Sequence, residues 1–296
     1  AYRACCTNKL RGNIETFKMQ FKERRSKEIF WIDHRALKIK NQQLHVFTQR
    51  LKEHSGLRLS SKSLKRLPTV IKSDSKLYYD RGAYYFITTI PVPPIPKKPK
   101  HPIISLDPGV RTFMTGYSPT GMVVKMGEAQ KALMEKLHKR IDHLRSVRSK
   151  TEKRRTKWRI KQRLEVLERR LFNVVDNLHN QATSFLTRHF HRILLPTFGT
   201  SEMLQGGCLA HSTKRCMSSL AHYRFQQKMI HQCNKHGCQL YLVGEEYTTK
   251  ACGACGRLKN VGGSKIYHCD HCNYTMDRDI HGSRNILLKT CSIFGA

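Results

Sequence analysis

The sequence predicts an α/β protein preceded by a β-rich segment, and three observations predict it. A proline-rich break divides the chain near residue 100, strands and helices alternate after it, and two Cys-x-x-Cys pairs stand just before the last helix. Residues 1–90 mix short strand-like runs with basic loops. Within them, 76–79 and 83–90 read as a hairpin turned at Asp80, Arg81 and Gly82. Residues 91–102 hold six of the chain's ten prolines, a composition that favours an extended linker. After the linker, 103–106 is a short apolar strand that ends in Asp107-Pro108-Gly109. Two more strand candidates, 111–117 and 122–126, flank a turn at 118–121 and complete a three-stranded meander. From 128 to 195 there is neither glycine nor proline. There Leu133, Leu137, Ile141 and Leu144, then Ile160, Leu164, Leu167, Leu171 and Val174, recur at helical steps. That pattern predicts two long amphipathic helices, an antiparallel pair broken near 148–156. A strand at 193–196, a helix at 214–236 stopped by Gly237, a strand at 239–243 and a terminal helix at 279–289 complete the order.

Composition narrows the partners. The 296 residues are 39% hydrophobic, enough for a core and for two domains. Lys and Arg number 55 against 21 acids, a net charge of +34, and self-repulsion on that scale is best relieved by a polyanion such as nucleic acid. Between residues 136 and 170 fifteen Lys/Arg meet only four acids, which predicts a phosphate-facing helix surface. No run approaches the ~18 uncharged apolar residues of a membrane span, and no signal-peptide pattern is present. Eleven cysteines, four of them in the paired motif, suit a reducing compartment better than a disulfide framework.

The chemistry concentrates near the C-terminus. Cys252-x-x-Cys255 and Cys269-x-x-Cys272, thirteen residues apart, have the spacing of a structural zinc ribbon, because each knuckle turns two thiolates toward one tetrahedral ion. His268 and His271 lie in the second knuckle as spectators. Few acids stand at element ends, and those are Asp107, the pair Glu245 and Glu246 after the 239–243 strand, and Asp277 and Asp279 at the last helix. Carboxylates converging from strand ends and a helix are what two hard cations ~4 Å apart require. Alternation sends Glu245 and Glu246 to opposite sides, so only one of them reaches such a site. Tyr78, Tyr79, Tyr84, Tyr85 and Trp158 offer stacking surfaces, with hairpin tyrosines more often serving as core.

Asp107-Pro108-Gly109-Val110-Arg111, the block 245–256, and Asp277-Arg278-Asp279 through Ile286 resemble the RuvC motifs of the TnpB nucleases, relatives of type V CRISPR effectors. At the last motif the family pattern is roughly R-D-x-N-A-A-x-N-I, and this chain departs from it with His281, Gly282 and Ser283 while keeping Asp279 and Asn285. TnpB proteins also carry an acid after the helix pair. Here that strand ends without one, and Glu202 follows six residues later. The eukaryotic and viral relatives called Fanzor are similar in lacking it and take a glutamate just before the ribbon, in a V-x-E-x-x-T-S-K pattern that 243–250 follow with Thr249 in place of the serine.

The resemblance implies an RNase H-like (RuvC) domain with a helical insertion and a zinc ribbon, after a wedge-type β-rich domain. The implied boundaries are 1–100 for the wedge-like domain and linker, 101–250 for the first part of the nuclease with its basic helical pair at 128–192, 251–275 for the ribbon, and 276–296 for the final motif. It implies an RNA-guided DNA endonuclease that binds an omega-type guide RNA and double-stranded target DNA, acting as a monomer. Asp107 would bridge two Mg2+ ions, with Glu245 and Asp279 completing their shells, and Zn2+ would sit on the four cysteines. Glu246 and then Glu202 follow as substitutes for Glu245. Alternatives are a guide-dependent DNA binder without cleavage, a DDE-type transposase, and a plain zinc-ribbon binder. The implied location is the nucleus in a eukaryotic or viral setting and otherwise the cytoplasm, without secretion. A start at Ala1 and an N-terminal region short for the family suggest a processed or truncated piece, with a recognition insertion small or missing.

Overall fold

Alternation of apolar and polar residues marks the strands Leu37–Lys40 and Gln43–Val46, whereas the aromatic-rich strands of the other N-terminal sheet leave several large side chains exposed. The computed structural model describes residues 2–13, 15–16, 28–40, 43–47, 57–58, 65, 67–68, 70–197, 199, 204, 210–262 and 264–294. The chain divides into two compact units, 1–91 and 92–296.

The first unit holds helix α1 (Tyr2–Leu10) and strands β1 (Glu28–Ile32), β2 (Leu37–Lys40), β3 (Gln43–Val46), β4 (Leu57–Arg58), β5 (Ser75–Asp80) and β6 (Ala83–Ile87). They form two antiparallel sheets, β1-β5-β6 and β2-β3-β4, around Ile32, Leu37, Leu44 and Ile71. The predicted hairpin is β5–β6, and its two turn residues, Arg81 and Gly82, both have positive φ, 48° and 78°, as a tight turn matched to strand twist requires. Of the hairpin tyrosines Tyr79 is buried, whereas Tyr84 is 69% exposed.

The second unit opens with the proline run. Proline has no N–H, so the donors between Pro93 and Lys97 are Ile95 and Lys97, and both amides are used. They donate to the Lys235 and His236 carbonyls at 2.8 and 3.1 Å, satisfying a helix end. Strands β7 (His101–Pro108), β8 (Met114–Tyr117) and β9 (Val123–Met126) form the predicted meander. Helices α2 (Glu128–Lys150) and α3 (Arg154–His189) form the predicted pair, with a second core at Ile141, Ile160 and Leu164. Next come β10 (Phe190–Pro196), α4 (His211–Leu220), α5 (His222–His236), β11 (Gln239–Val243), the hairpin β12 (Ile266–His268) and β13 (Thr275–Asp277), and α6 (Arg278–Phe294). The main sheet runs β11-β10-β7-β8-β9. Strand β10 is parallel to both of its neighbours and the meander is antiparallel.

Period-two alternation along β7 separates the layers. Ile104 and Leu106 enter the main core with Val175, Leu178 and Leu186 of α3 and Phe225 and Met229 of α5. Ser105 points the other way and donates to the Ser283 carbonyl of α6 at 2.6 Å, so Asp107, two residues on, belongs to the α6 side. The single helix expected at 214–236 is two helices. Ala221 interrupts it with φ 49° and ψ 56°, and the freed Leu220 carbonyl accepts from His179 Nε2 at 2.9 Å. The break also lays the His222 ring flat on Phe113, whose other neighbours are His179 and Phe225. Among the described residues no helix is long and apolar enough to cross a membrane.

Candidate active site

Three acids distant in sequence line one cleft of about 550 Å³. Asp107 comes from the end of β7, Glu245 from the turn after β11, and Asp279 from the first turn of α6. Each is held by local structure. Gly109 closes the turn after Asp107, its amide donating to the Phe113 carbonyl at 3.2 Å. A Cβ there would come within 2.7 Å of the Thr112 carbonyl oxygen. The Glu245 carbonyl accepts from the Thr248 hydroxyl at 2.8 Å. Asp277 caps α6 by accepting the Asp279 and Ile280 amides at 3.0 and 3.2 Å, and Lys125 pairs with its other oxygen at 3.0 Å. Of the two acids at this helix start, Asp277 is therefore the cap and Asp279 is the one that lines the cleft.

Burial and close carboxylates shift the acids of this cleft. Burial first, then the negative charges of Asp279 and Glu245, push the Asp107 carboxyl up to about 7, with Arg278 working against them. Burial and then Glu246 also raise Glu245. Arg111, Lys131 and Arg278 line the same cleft as Asp107, so cations and acids face one space. Among the described residues the three carboxylates do not all come within 4.8 Å of one another.

Glu246 takes no part in this cleft. It lines a separate cavity with Lys289, whose Nζ lies 2.6 Å from Oε2. The pair thus divides as alternation implied, although Glu245 lies in a turn and not on the strand itself. Glu202 lies outside the described residues. A larger groove of about 700 Å³ runs between α2 and α3 past Arg140, Leu144, Arg163 and Val166, but no carboxylate lines it.

The four cysteines gather as their spacing required. Their Sγ atoms all lie within 4.8 Å of one another, with Cys252–Cys272 at 3.6 Å and Cys255–Cys269 at 3.7 Å. A tetrahedron with metal–sulfur bonds of about 2.3 Å has edges of roughly 3.8 Å, so the donors fit a tetrahedral thiophilic ion. Burial alone would raise the Cys252 thiol. The Cys255 and Ala254 amides and nearby thiols outweigh it and bring the group down to about 6. The Cys272 and His271 amides likewise lower Cys269. His268 bonds to Thr275 Oγ1 at 3.0 Å instead of joining the cluster. Sequence reasoning missed Lys131 and Thr213, which reach the cleft from α2 and α4 with no local motif to flag them.

The family model for the Cas12f1-like TNB domain matches residues 222–286, a span holding Glu245, the four cysteines and Asp279. Over 231 residues the chain is 29% identical to TnpB-like protein L79 of Acanthamoeba polyphaga mimivirus, covering 74% of this chain and 44% of that protein. It is 27% identical over 299 residues to TnpB-like protein L770 of the same virus, covering 97% of this chain and 54% of the relative. The chain therefore spans about half the length of these relatives. Among solved structures, the fold is similar to that in a Cas12f1–sgRNA–target DNA complex. The TM-score is 0.53 at 14% identity, over 88% of this chain and 59% of that one. Together with the mixed sheet and its helical layers, these likenesses support a TnpB/type V effector-like family with a RuvC-like fold for this chain.

Proposed function

We propose that the protein is an RNA-guided DNA endonuclease with a single carboxylate site for two divalent cations. The observation that carries this reading is the convergence of Asp107, Glu245 and Asp279 in one cationic cleft. Hard oxygen donors suit Mg2+, and these three residues would hold it. Bound there, the ions supply the charge that acidifies the attacking water and stabilises the leaving oxygen. The chain's own groups do the rest. Arg111, Lys131 and Arg278 draw the phosphate backbone into the cleft, and the ionised Asp107 carboxylate would serve as a cation ligand. Water attacks phosphorus in line as the bond to the 3′-oxygen breaks. One proton leaves the water, one reaches the 3′-oxygen, and a 5′-phosphate remains. The four-cysteine cluster would take Zn2+ and serve structure, not catalysis.

Guide RNA and target DNA as partners rest on the family likeness and on the +34 charge. The lack of an acid at the end of β10, with Glu245 in the cleft instead, fits the Fanzor-like branch.

The test is cleavage of matched target DNA by protein purified with its RNA, in Mg2+. Asp107→Ala, Glu245→Ala and Asp279→Ala are expected to bind target without cutting it, and Glu246→Ala to cut. Binding without cleavage by the unmutated protein would overturn the enzyme reading, and purified protein free of RNA would favour a transposase.

A further inference from the structure

The last helix has two working sides. Asp279 and Gly282 face the Asp107 carboxylate, and a Cβ at position 282 would lie 2.7 Å from Asp107 Oδ2. Successive helix positions turn by ~100°, so His281, Arg284 and Asn285 occupy the other flank. All three grip the first cysteine knuckle or the turn leading to it. His281 Nε2 accepts the Gly253 amide at 3.3 Å, and Arg284 Nη1 donates to the Gly253 carbonyl at 2.8 Å. The Asn285 amide donates to the Thr248 and Ala251 carbonyls at 2.8 and 2.7 Å, within the segment that joins Glu245 to Cys252.

His281 stands at the centre of this grip. Its side chain is fully buried, and its ring lies flat on Tyr267, two residues before Cys269, with centroids 3.7 Å apart and planes 12° off parallel. One residue thus touches the first knuckle and the strand that leads into the second while belonging to the helix that carries Asp279. Its Nδ1 is buried without a hydrogen-bond partner, a cost that an apolar side chain of similar size would avoid. Packing alone therefore does not account for a histidine here.

We infer that His281 is a positioning residue that ties the four-cysteine cluster to α6, so that filling the cysteine site fixes where Asp279 and Glu245 stand. The inference deepens the reading of the acids as a cation site and rests on it. Without the His281 tie, the acid trio loses its geometry without losing any acid.

The test uses the full zinc-loaded chain and three readouts: zinc content, amide hydrogen exchange, and Mn2+ affinity by electron paramagnetic resonance. His281→Ala is expected to keep its zinc and the protection of 252–276. It should deprotect 279–286 and weaken Mn2+ binding about tenfold, and His281→Gln, whose Oε1 can take the place of Nε2 and accept from Gly253, should restore most of it. Should His281→Ala not fold, Tyr267→Leu removes the ring that lies flat on His281 and leaves the cysteines and acids in place, and it carries the same expectation. Unchanged helix protection and Mn2+ affinity would overturn the inference. So would loss of zinc from His281→Ala, since the histidine would then belong to the ribbon's own fold. Mn2+ binding that survives both Asp107→Asn and Asp279→Asn would instead sink the acid-site reading, a result separable from helix protection.

Discussion

Asp107 carries the largest tension in the cleft, and its sign can be tested. An ordinary aspartate ionises near 3.8, whereas burial and two acidic neighbours hold this one to about 7. Between those values the folded protein keeps a proton that the unfolded chain has released. The stability from this group is therefore present at low pH and lost as pH rises toward 7. Without added divalent cation, Asp107→Asn is expected to stabilise the zinc-loaded protein by on the order of 4 kcal/mol at pH 8 and by almost nothing at pH 4, read from denaturant midpoints. An equal effect at both values would mean that the carboxyl titrates normally. Much at this scale was legible beforehand. Asp107 was marked by the turn after an apolar strand, and the cysteines by spacing alone. The role of His281 was not legible, because its contacts come from Gly253 and Tyr267, and nothing in the local sequence names either as a neighbour.

Elements were legible where periodicity was long and unbroken. The α2–α3 pair fell within the stretch predicted, since leucines and isoleucines at helical steps leave little freedom. The break between α4 and α5 was not legible, because neither glycine nor proline marks it. An alanine takes the left-handed backbone there, and the reason is tertiary: His179 accommodates the freed carbonyl and His222 stacks on Phe113. An L-residue in that conformation costs roughly 1–2 kcal/mol, partly offset by the entropy glycine loses on folding. Ala221→Gly is thus expected to raise stability by ~0.5 kcal/mol with no change in the denaturant slope. Destabilisation would show that the methyl group packs usefully at the junction.

At the scale of the whole molecule, charge dominates. With +34 to neutralise, nucleic-acid affinity should fall by about 10³-fold or more between 50 and 200 mM salt. Arg154, Arg155, Lys157 and Arg159 are all exposed at the start of α3. Converting the four to Gln should shallow the log–log salt slope on duplex DNA by roughly 3–4, and an unchanged slope would remove this stretch from the interface. The topology adds a temporal constraint. Asp107 and Asp279 lie more than half the chain apart, and the helix bearing Asp279 packs on strands made long before it. Ribosomes deliver the basic helices and the sheet first and the residue that completes the acid trio much later. On the proposed function, a growing chain would acquire its grip on nucleic acid before it acquires the means to cut.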